Sequence, residues 1–254
     1  MTNEPKQKTI ASFWNKESKA YDNKEGRWYL YYEYNRRNAL ALNEAKKWVS
    51  MLPNPYNAKL ADFGCGNGAN LQKLAPLFRH CYGTDISSEM VKSARQKNPD
   101  HSVFLAGVSD FNIPVDIITA VGLVEYLGSP YELFSKCNQL LPEGGVVIFT
   151  FNKSGSLLAQ IEAQYRIFKR RLRPQKKQSL NKQYTLKEIL LSCEANNLMP
   201  VKRIDFGFRS NLLALGPLRY VYPVIEILLD KLLFLKAARA FVSTNTLLVC
   251  KKLS

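Results

Sequence analysis

The 254-residue chain contains no run of about twenty apolar residues, which excludes a membrane-spanning helix from the expected architecture. Its opening, MTNEPKQKTI, is polar throughout and argues against a secretory signal. The five cysteines (Cys65, Cys81, Cys137, Cys193 and Cys250) are odd in number, scattered, and never paired as C-x-x-C. That spacing excludes a zinc knuckle and a disulfide framework, so reduced thiols in a cytosolic compartment are expected. Histidine is scarce, with His80 and His101 alone, and acidic residues are outnumbered 21 to 36 by Lys and Arg. The resulting charge of +15 suits nucleic acid, an anionic lipid surface or an acidic substrate, and does not choose among them. There is no internal repeat and no low-complexity tract. With 46% apolar and 22% charged residues, the chain is long enough to bury a core as one α/β domain or two small ones.

Residues 8 to 50 read as helices with interleaved aromatics, broken by Pro53 and Pro55. A short apolar strand, KLADFG, then runs into a glycine turn and the helix NLQKLAPLF. A second strand, HCYGTDI, leads to the helix SSEMVKSARQK, capped by Ser87 or Ser88. Strands follow at Ser102–Ala106, Val115–Ala120 and VVIFTF, with the helix YELFSKCNQLL before the last of these. Strands alternating with helices predict a parallel sheet covered on both faces. Beyond Phe151 the pattern predicts helices at Leu157–Leu172, TLKEILLSCEANN and Leu215–Phe241, with strands at Val201–Phe208 and Thr244–Cys250. This tail is expected to close the sheet with an antiparallel pair.

The segment Asp62-Phe63-Gly64-Cys65-Gly66-Asn67-Gly68 lies between strand and helix, where glycine lets a ligand approach the backbone. Asp85 ends the second strand 21 positions after Gly64, where a carboxylate can accept both hydroxyls of a ribose. An adenosine-containing cofactor is expected. Gly64, Gly66 and Ala69 also satisfy the dinucleotide pattern, so NAD competes. Asp62 counts against it, because a carboxylate there opposes a pyrophosphate and suits a cationic ligand.

ADFGCGNGANLQKLA, YGTDISSEMVKSA, VDIITAVGLVEYL and LLPEGGVVIFTF, in that order, resemble the class I S-adenosylmethionine (SAM)-dependent methyltransferases. FWNKESKAYD is similar to the lid helix of the branch that contains quinone-biosynthesis and natural-product methyltransferases. The resemblance covers about residues 10–151, and the remainder follows by element order alone. It implies an α/β, Rossmann-like seven-stranded sheet, a helical lid over residues 1–52, and a SAM-binding domain over 53–254. Helical or basic insertions are expected at about 155–197 and 212–242. It further implies that Asp62 and the turn Gly64, Cys65, Gly66 and Gly68 hold the methionine end of SAM. Asp85 would hold the ribose, Ile86 and Met90 would pack on the adenine, and Asp110 and Phe111 would face the adenine edge. Val121 and Gly122 would begin the loop beside the methyl donor, and Tyr21 would lie over the cofactor.

A sulfonium methyl is already activated, so the protein's largest task is to align an acceptor and exclude water, worth roughly 7–11 kcal/mol in favourable cases. Relatives often place a histidine after the fourth strand. Here Glu125 stands in Val121-Gly122-Leu123-Val124-Glu125-Tyr126 and is the candidate general base, the alternative being that it only orients the loop. His80 and His101 fall at strand entrances, away from the expected site. Arg36 and Arg37 can reach a cofactor carboxylate, although helical periodicity favours a solvated face for both.

The expected acceptor is small or lipophilic: a quinone, a polyketide-like chain or another natural product. Nucleic acid is the rival that the charge brings up, but the stacking loop of base-methylating enzymes is absent after the fourth strand. Asn54-Pro55-Tyr56 precedes the first strand and reads as a turn. A SAM-binding module without catalysis and a protein methyltransferase also stay open. Arg166, Lys169, Arg170, Arg171, Arg173, Lys176, Lys177 and Lys182 form a stretch without an acidic residue, followed by the apolar segment LLALGPLRYVYPVIEILLDKLLFLKAARAF. Glu226, Asp230 and Lys231 interrupt that segment. The combination predicts peripheral contact with an anionic membrane, with core completion or a dimer contact as the alternative.

Overall fold

The computed structural model describes residues 4–22, 28–172, 180–207, 221, 224, 227–228 and 236–253. Two long helices, α1 (Glu4–Asp22) and α2 (Trp28–Val49), precede a regular alternation. This runs β1 (Lys59–Phe63), α3 (Ala69–Leu74), β2 (His80–Asp85), α4 (Ser88–Lys97), β3 (Ser102–Leu105), β4 (Ile117–Ala120), α5 (Pro130–Leu140) and β5 (Val146–Asn152). Then come α6 (Leu157–Leu172), α7 (Leu186–Glu194), β6 (Leu198–Phe206), α8 (Lys236–Val242) and β7 (Asn245–Lys252). Most of the segment 212–242, and residues 173–179 of the basic stretch, lie outside the described residues.

The strands form one sheet in the order β3-β2-β1-β4-β5-β7-β6. The first five are parallel, and β7 runs antiparallel to both β5 and β6. The period of two along each strand divides the core between the faces. Val147, Phe149 and Phe151 of β5 join Leu248 and Cys250 of β7 under α5 and α7. Val146 and Ile148 join Leu247 and Val249 beneath α2, whose Ala41, Ala45 and Val49 are buried against them. Thus α2 covers the sheet, whereas α1 lies on α4.

Local chemistry sets the element ends. Ser87 caps α4 by accepting from Met90 N, and Ser129 with Pro130 opens α5. Thr185 and Glu188 form a capping box on α7. That helix stops at Glu194, short of the expected Asn197, because Asn197 takes a left-handed φ of 54° and reverses the chain. The sixth strand starts at Leu198, three residues before the expected Val201. Pro200 is tolerated because β6 is an edge strand and a register shift follows between Pro200 and Lys202. No helix among the described residues is long and apolar enough to cross a membrane.

Candidate active site

The carboxyl ends of β1, β2, β4 and β5 converge beneath α1 on a cavity of about 360 Å³. Parallel strands place such a crevice there because their following loops all open on the same edge. At the end of β1, three glycines take left-handed φ values of 66°, 54° and 76°, each for a different reason. A Cβ on Gly64 would stand 3.0 Å from Leu123 Cδ1, so this glycine lets two loops close together. A Cβ on Gly66 would meet nothing within 4 Å, and Gly66 borders the cavity. A Cβ on Gly68 would fall 2.9 Å from the Ala94 backbone, so Gly68 serves the packing of the turn on α4 and does not line the cavity.

Asp85 closes β2 at the cavity wall. Its two oxygens accept from Gly66 N at 3.0 Å and Ser87 N at 2.9 Å, which aims the carboxylate across the glycine turn. Burial raises its pKa above the ordinary carboxylate value. Ile86 and Met90 line the same cavity. Asp110 and Phe111 do not. Asp110 folds back to accept from Gly107 N at 3.0 Å, and Phe111 packs on Phe63 in the core. Ala106, Gly107 and Val108 occupy the wall instead.

Asp62 is buried behind Gly64, where its Oδ1 accepts from Thr119 Oγ1 at 2.6 Å. Burial pushes its pKa up to about 7. Cys65 turns into the core beneath β2, where burial pushes the thiol up; neither side chain lines the cavity. Val121 and Gly122 do line it, and Gly122 N donates to Thr150 Oγ1 at 2.9 Å.

Arg37 lies against Gly122, where an added Cβ would sit 2.7 Å from the guanidinium carbon. Its Nη1 is 3.9 Å from Glu125 Oε1. The solvated face expected for Arg37 is thereby corrected: the turn of α2 that faces the loop after β4 carries it into the cavity. Periodicity alone missed this because the surroundings of Arg37 are polar, and they are supplied by residues about 85 positions away. Glu125 is 4% exposed and borders the cavity, as does Tyr126, whose hydroxyl is pushed up to about 12 by burial and by Glu125.

Helix α1 presents Gln7, Ile10 and Trp14 to the cavity, at helical spacing, and Trp14 meets Tyr126 edge-on at 5.5 Å. The side chain of Tyr21 lies outside the described residues. Asn15, which the sequence reading passed over, accepts from Ser87 Oγ at 2.7 Å and Glu89 N at 3.3 Å and fastens α1 to the cap of α4. His80 begins β2 and His101 precedes β3, so both stand at the amino ends of the strands, away from Asp85.

The residues fit a cofactor with an adenosine and an amino-acid end. Asp85 faces a space walled by Ile86 and Met90, Gly66 leaves room for close approach, and Arg37 supplies a cation near Gly122. The model of the methyltransferase-domain family matches residues 32–192, more than half of the chain. A trans-aconitate 2-methyltransferase of Afipia carboxidovorans is 29% identical over 107 residues, 41% of this chain and 42% of that protein. A ubiquinone biosynthesis O-methyltransferase of Thiobacillus denitrificans is 27% identical over 132 residues, 47% of this chain and 56% of that protein. The chain spans about half the length of the curated relatives it matches. In fold it is similar to the magnesium protoporphyrin IX methyltransferase of Synechocystis with bound S-adenosylhomocysteine (SAH), with a TM-score of 0.63 at 14% identity over 97% of this chain and 99% of that one.

Proposed function

We propose that this chain, which belongs to the class I SAM-dependent methyltransferases, transfers a methyl group from SAM to a small-molecule acceptor. The observation that carries the reading is the single cavity that joins Asp85 and the glycine turn to Glu125, Tyr126 and Asn152. When bound, SAM supplies a methyl group already activated on a sulfonium. The names of the curated relatives, which include ubiquinone and trans-aconitate methyltransferases, support a small acceptor.

In this reading Asp85 holds the ribose hydroxyls, Ile86 and Met90 sandwich the base, and Arg37 receives the carboxylate of the amino-acid end. Trp14 and the rest of the inner face of α1 exclude water from above. Glu125 takes the proton from an acceptor that must lose one, and its buried position beside Arg37 orients it toward the cavity. The cavity carries Asp85, Glu125 and Glu132 against Arg37, a lining that opposes polyanions despite the net charge of +15. This disfavours a nucleic acid as acceptor.

The charge has another outlet. Val221, Val224, Ile227 and Leu228 are exposed at helical spacing, and Phe241 of α8 is 59% exposed. With the basic stretch of the sequence these residues support peripheral contact with an anionic membrane, from which a lipophilic acceptor is taken. Co-sedimentation with anionic and neutral vesicles at low and high salt tests it: salt-sensitive binding to anionic vesicles is expected, and no binding to either overturns it.

The parent reading is tested by calorimetry with SAM, SAH and NADH. Micromolar binding of the first two is expected, whereas NADH binding without SAM binding would overturn it.

A further inference from the structure

The loop that carries Glu125 is short and does little to hold itself. Val124–Tyr126 is a single 3-10 turn, and Leu123 at its start offers no side-chain cap. Glu125, Tyr126, Leu127 and Gly128 nevertheless all line the cavity. Asp85 ends β2 and Asn152 ends β5, with β1 and β4 between them. The cofactor end is therefore at β2, and this loop, which follows β4, faces the end left for the acceptor. Its place has to be fixed from outside.

A strap of residues 181–184 does so. Tyr184 N donates to Asn152 O at 3.0 Å and Ser154 N donates to Tyr184 O at 2.9 Å, which lays the strap parallel to the end of β5. Thr185 then caps α7, which packs on α5 and anchors the strap beyond the site. Toward the loop, Lys182 N donates to Glu125 O at 2.9 Å and Lys182 Nζ donates to Gly128 O at 2.8 Å. One residue thus grips both ends of the cavity-lining segment. Lysine suits the task, because its long chain reaches the second carbonyl and its ammonium is a donor only. Its neighbour Asn181 is hydrogen-bonded to the Tyr126 hydroxyl, which adds a third tie between strap and loop.

Resting on the reading of Glu125 as the base of a methyltransferase, we propose that Lys182 is a positioning residue for the reaction. It holds the loop from Glu125 to Gly128 in register with the strand ends, so that the Glu125 carboxylate meets the acceptor. Lys182 does not itself line the cavity, so it acts through the loop and leaves the acceptor's own contacts, polar or lipophilic, to others. In the sequence it closes the basic stretch that begins at Arg166. Its ammonium is committed to Gly128 O, however, which separates it from the basic residues upstream. Small displacements of a base cost rate steeply, because transfer needs the reacting atoms close and aligned.

The test uses the full chain. Lys182→Met keeps the chain length and removes the ammonium, and the residue is exposed, so no cavity is left behind. Amide hydrogen exchange over residues 122–128 is expected to speed up about fivefold, with thermal midpoint and SAH affinity little changed. Lys182→Arg, which again supplies a donor, should restore the slow exchange. With 4-butylcatechol as a lipophilic acceptor bearing ionisable hydroxyls, kcat should fall about fivefold in Lys182→Met at unchanged KM for SAM. That fall should be absent when Glu125→Gln is already in place, because the residue acts through Glu125. Unchanged exchange in Lys182→Met overturns the proposal, as does a loss of kcat that persists in full beside Glu125→Gln. Weaker co-sedimentation with anionic vesicles at unaltered loop exchange overturns it too, and assigns Lys182 to the membrane contact. Where a protein that binds SAH does not methylate this probe, the exchange measurement decides alone. A protein that does not bind SAH overturns the parent reading, and this one with it.

Discussion

Asn15 Oδ1 on α1 accepts a 2.7 Å hydrogen bond from Ser87 Oγ, the hydroxyl that also caps α4 and stands two residues beyond Asp85. One side chain of α1 is thus tied to the turn that follows Asp85, the carboxylate proposed to hold the ribose. Asn15→Ala is expected to lower stability by roughly 1 kcal/mol, the usual worth of such a bond. It should weaken SAM binding several-fold, because Gln7, Ile10 and Trp14 then no longer hold their places over the cavity. Denaturant unfolding and calorimetry read the two effects separately.

The glycine turn makes a sharper contrast. Gly66→Val keeps the core intact, since a Cβ there meets nothing, but fills the space in front of Asp85. It should fold with a backbone-strain cost of about 1–3 kcal/mol and lose more than a hundredfold in SAM affinity. Gly68→Val drives a side chain into Ala94 and Asn98 and should fail mainly in stability. Thermal unfolding beside SAM titration separates the two, and equal SAM affinity in Gly66→Val and the unaltered protein would refute the cofactor placement.

Asp62 predicts a pH dependence. Burial raises its folded pKa from 3.8 to about 7, so the folded protein without cofactor keeps a proton that the unfolded chain releases above about pH 4. Asp62 therefore contributes stability that is fully present below that pH and is lost as pH rises through about 7. A cationic ligand beside Gly64 favours the carboxylate, so SAM binding should release this proton and tighten about tenfold from pH 6 to pH 8. Buffer-dependent binding enthalpy measures the proton. Asp62→Asn should abolish both the release and the pH trend.

The motifs that a reader of the sequence can see are those whose meaning is local. Gly64, Gly66 and Asp85 are legible because a tight turn and a strand end each need one residue type at one place. The cap at Ser87 is legible for the same reason. Residues whose role depends on a distant partner were harder. Arg37 becomes a cavity residue only because Gly122 and Glu125 fold against it. Asn15 matters only because α1 lies on α4. Asp110 and Phe111 depart from what the resemblance implies because a short turn at Gly107 directs one back to the backbone and the other into the core. Asn152 and Asn245 are ordinary strand residues until antiparallel pairing sets them side by side.

Arg37 and Glu125 make the most searching pair for mutation, since they stand 3.9 Å apart where the cofactor and acceptor ends of the cavity meet. If Glu125 accepts a proton from the acceptor, Glu125→Gln keeps its size and its hold on the loop while removing the base. The expected result is a fall in kcat of about 10²-fold or more, with SAM affinity changed only a few-fold. Arg37→Met should show the opposite pattern, a SAM dissociation constant raised tenfold or more, because an uncharged side chain leaves the carboxylate of the amino-acid end without its cation. Were Glu125→Gln to raise the dissociation constant for SAM and spare kcat, Glu125 would be the residue that positions Arg37. Proton loss from the acceptor would then be left to solvent or to an acceptor already ionised. Because the two outcomes move different constants, one set of titrations and one rate profile on the two variants assigns both residues.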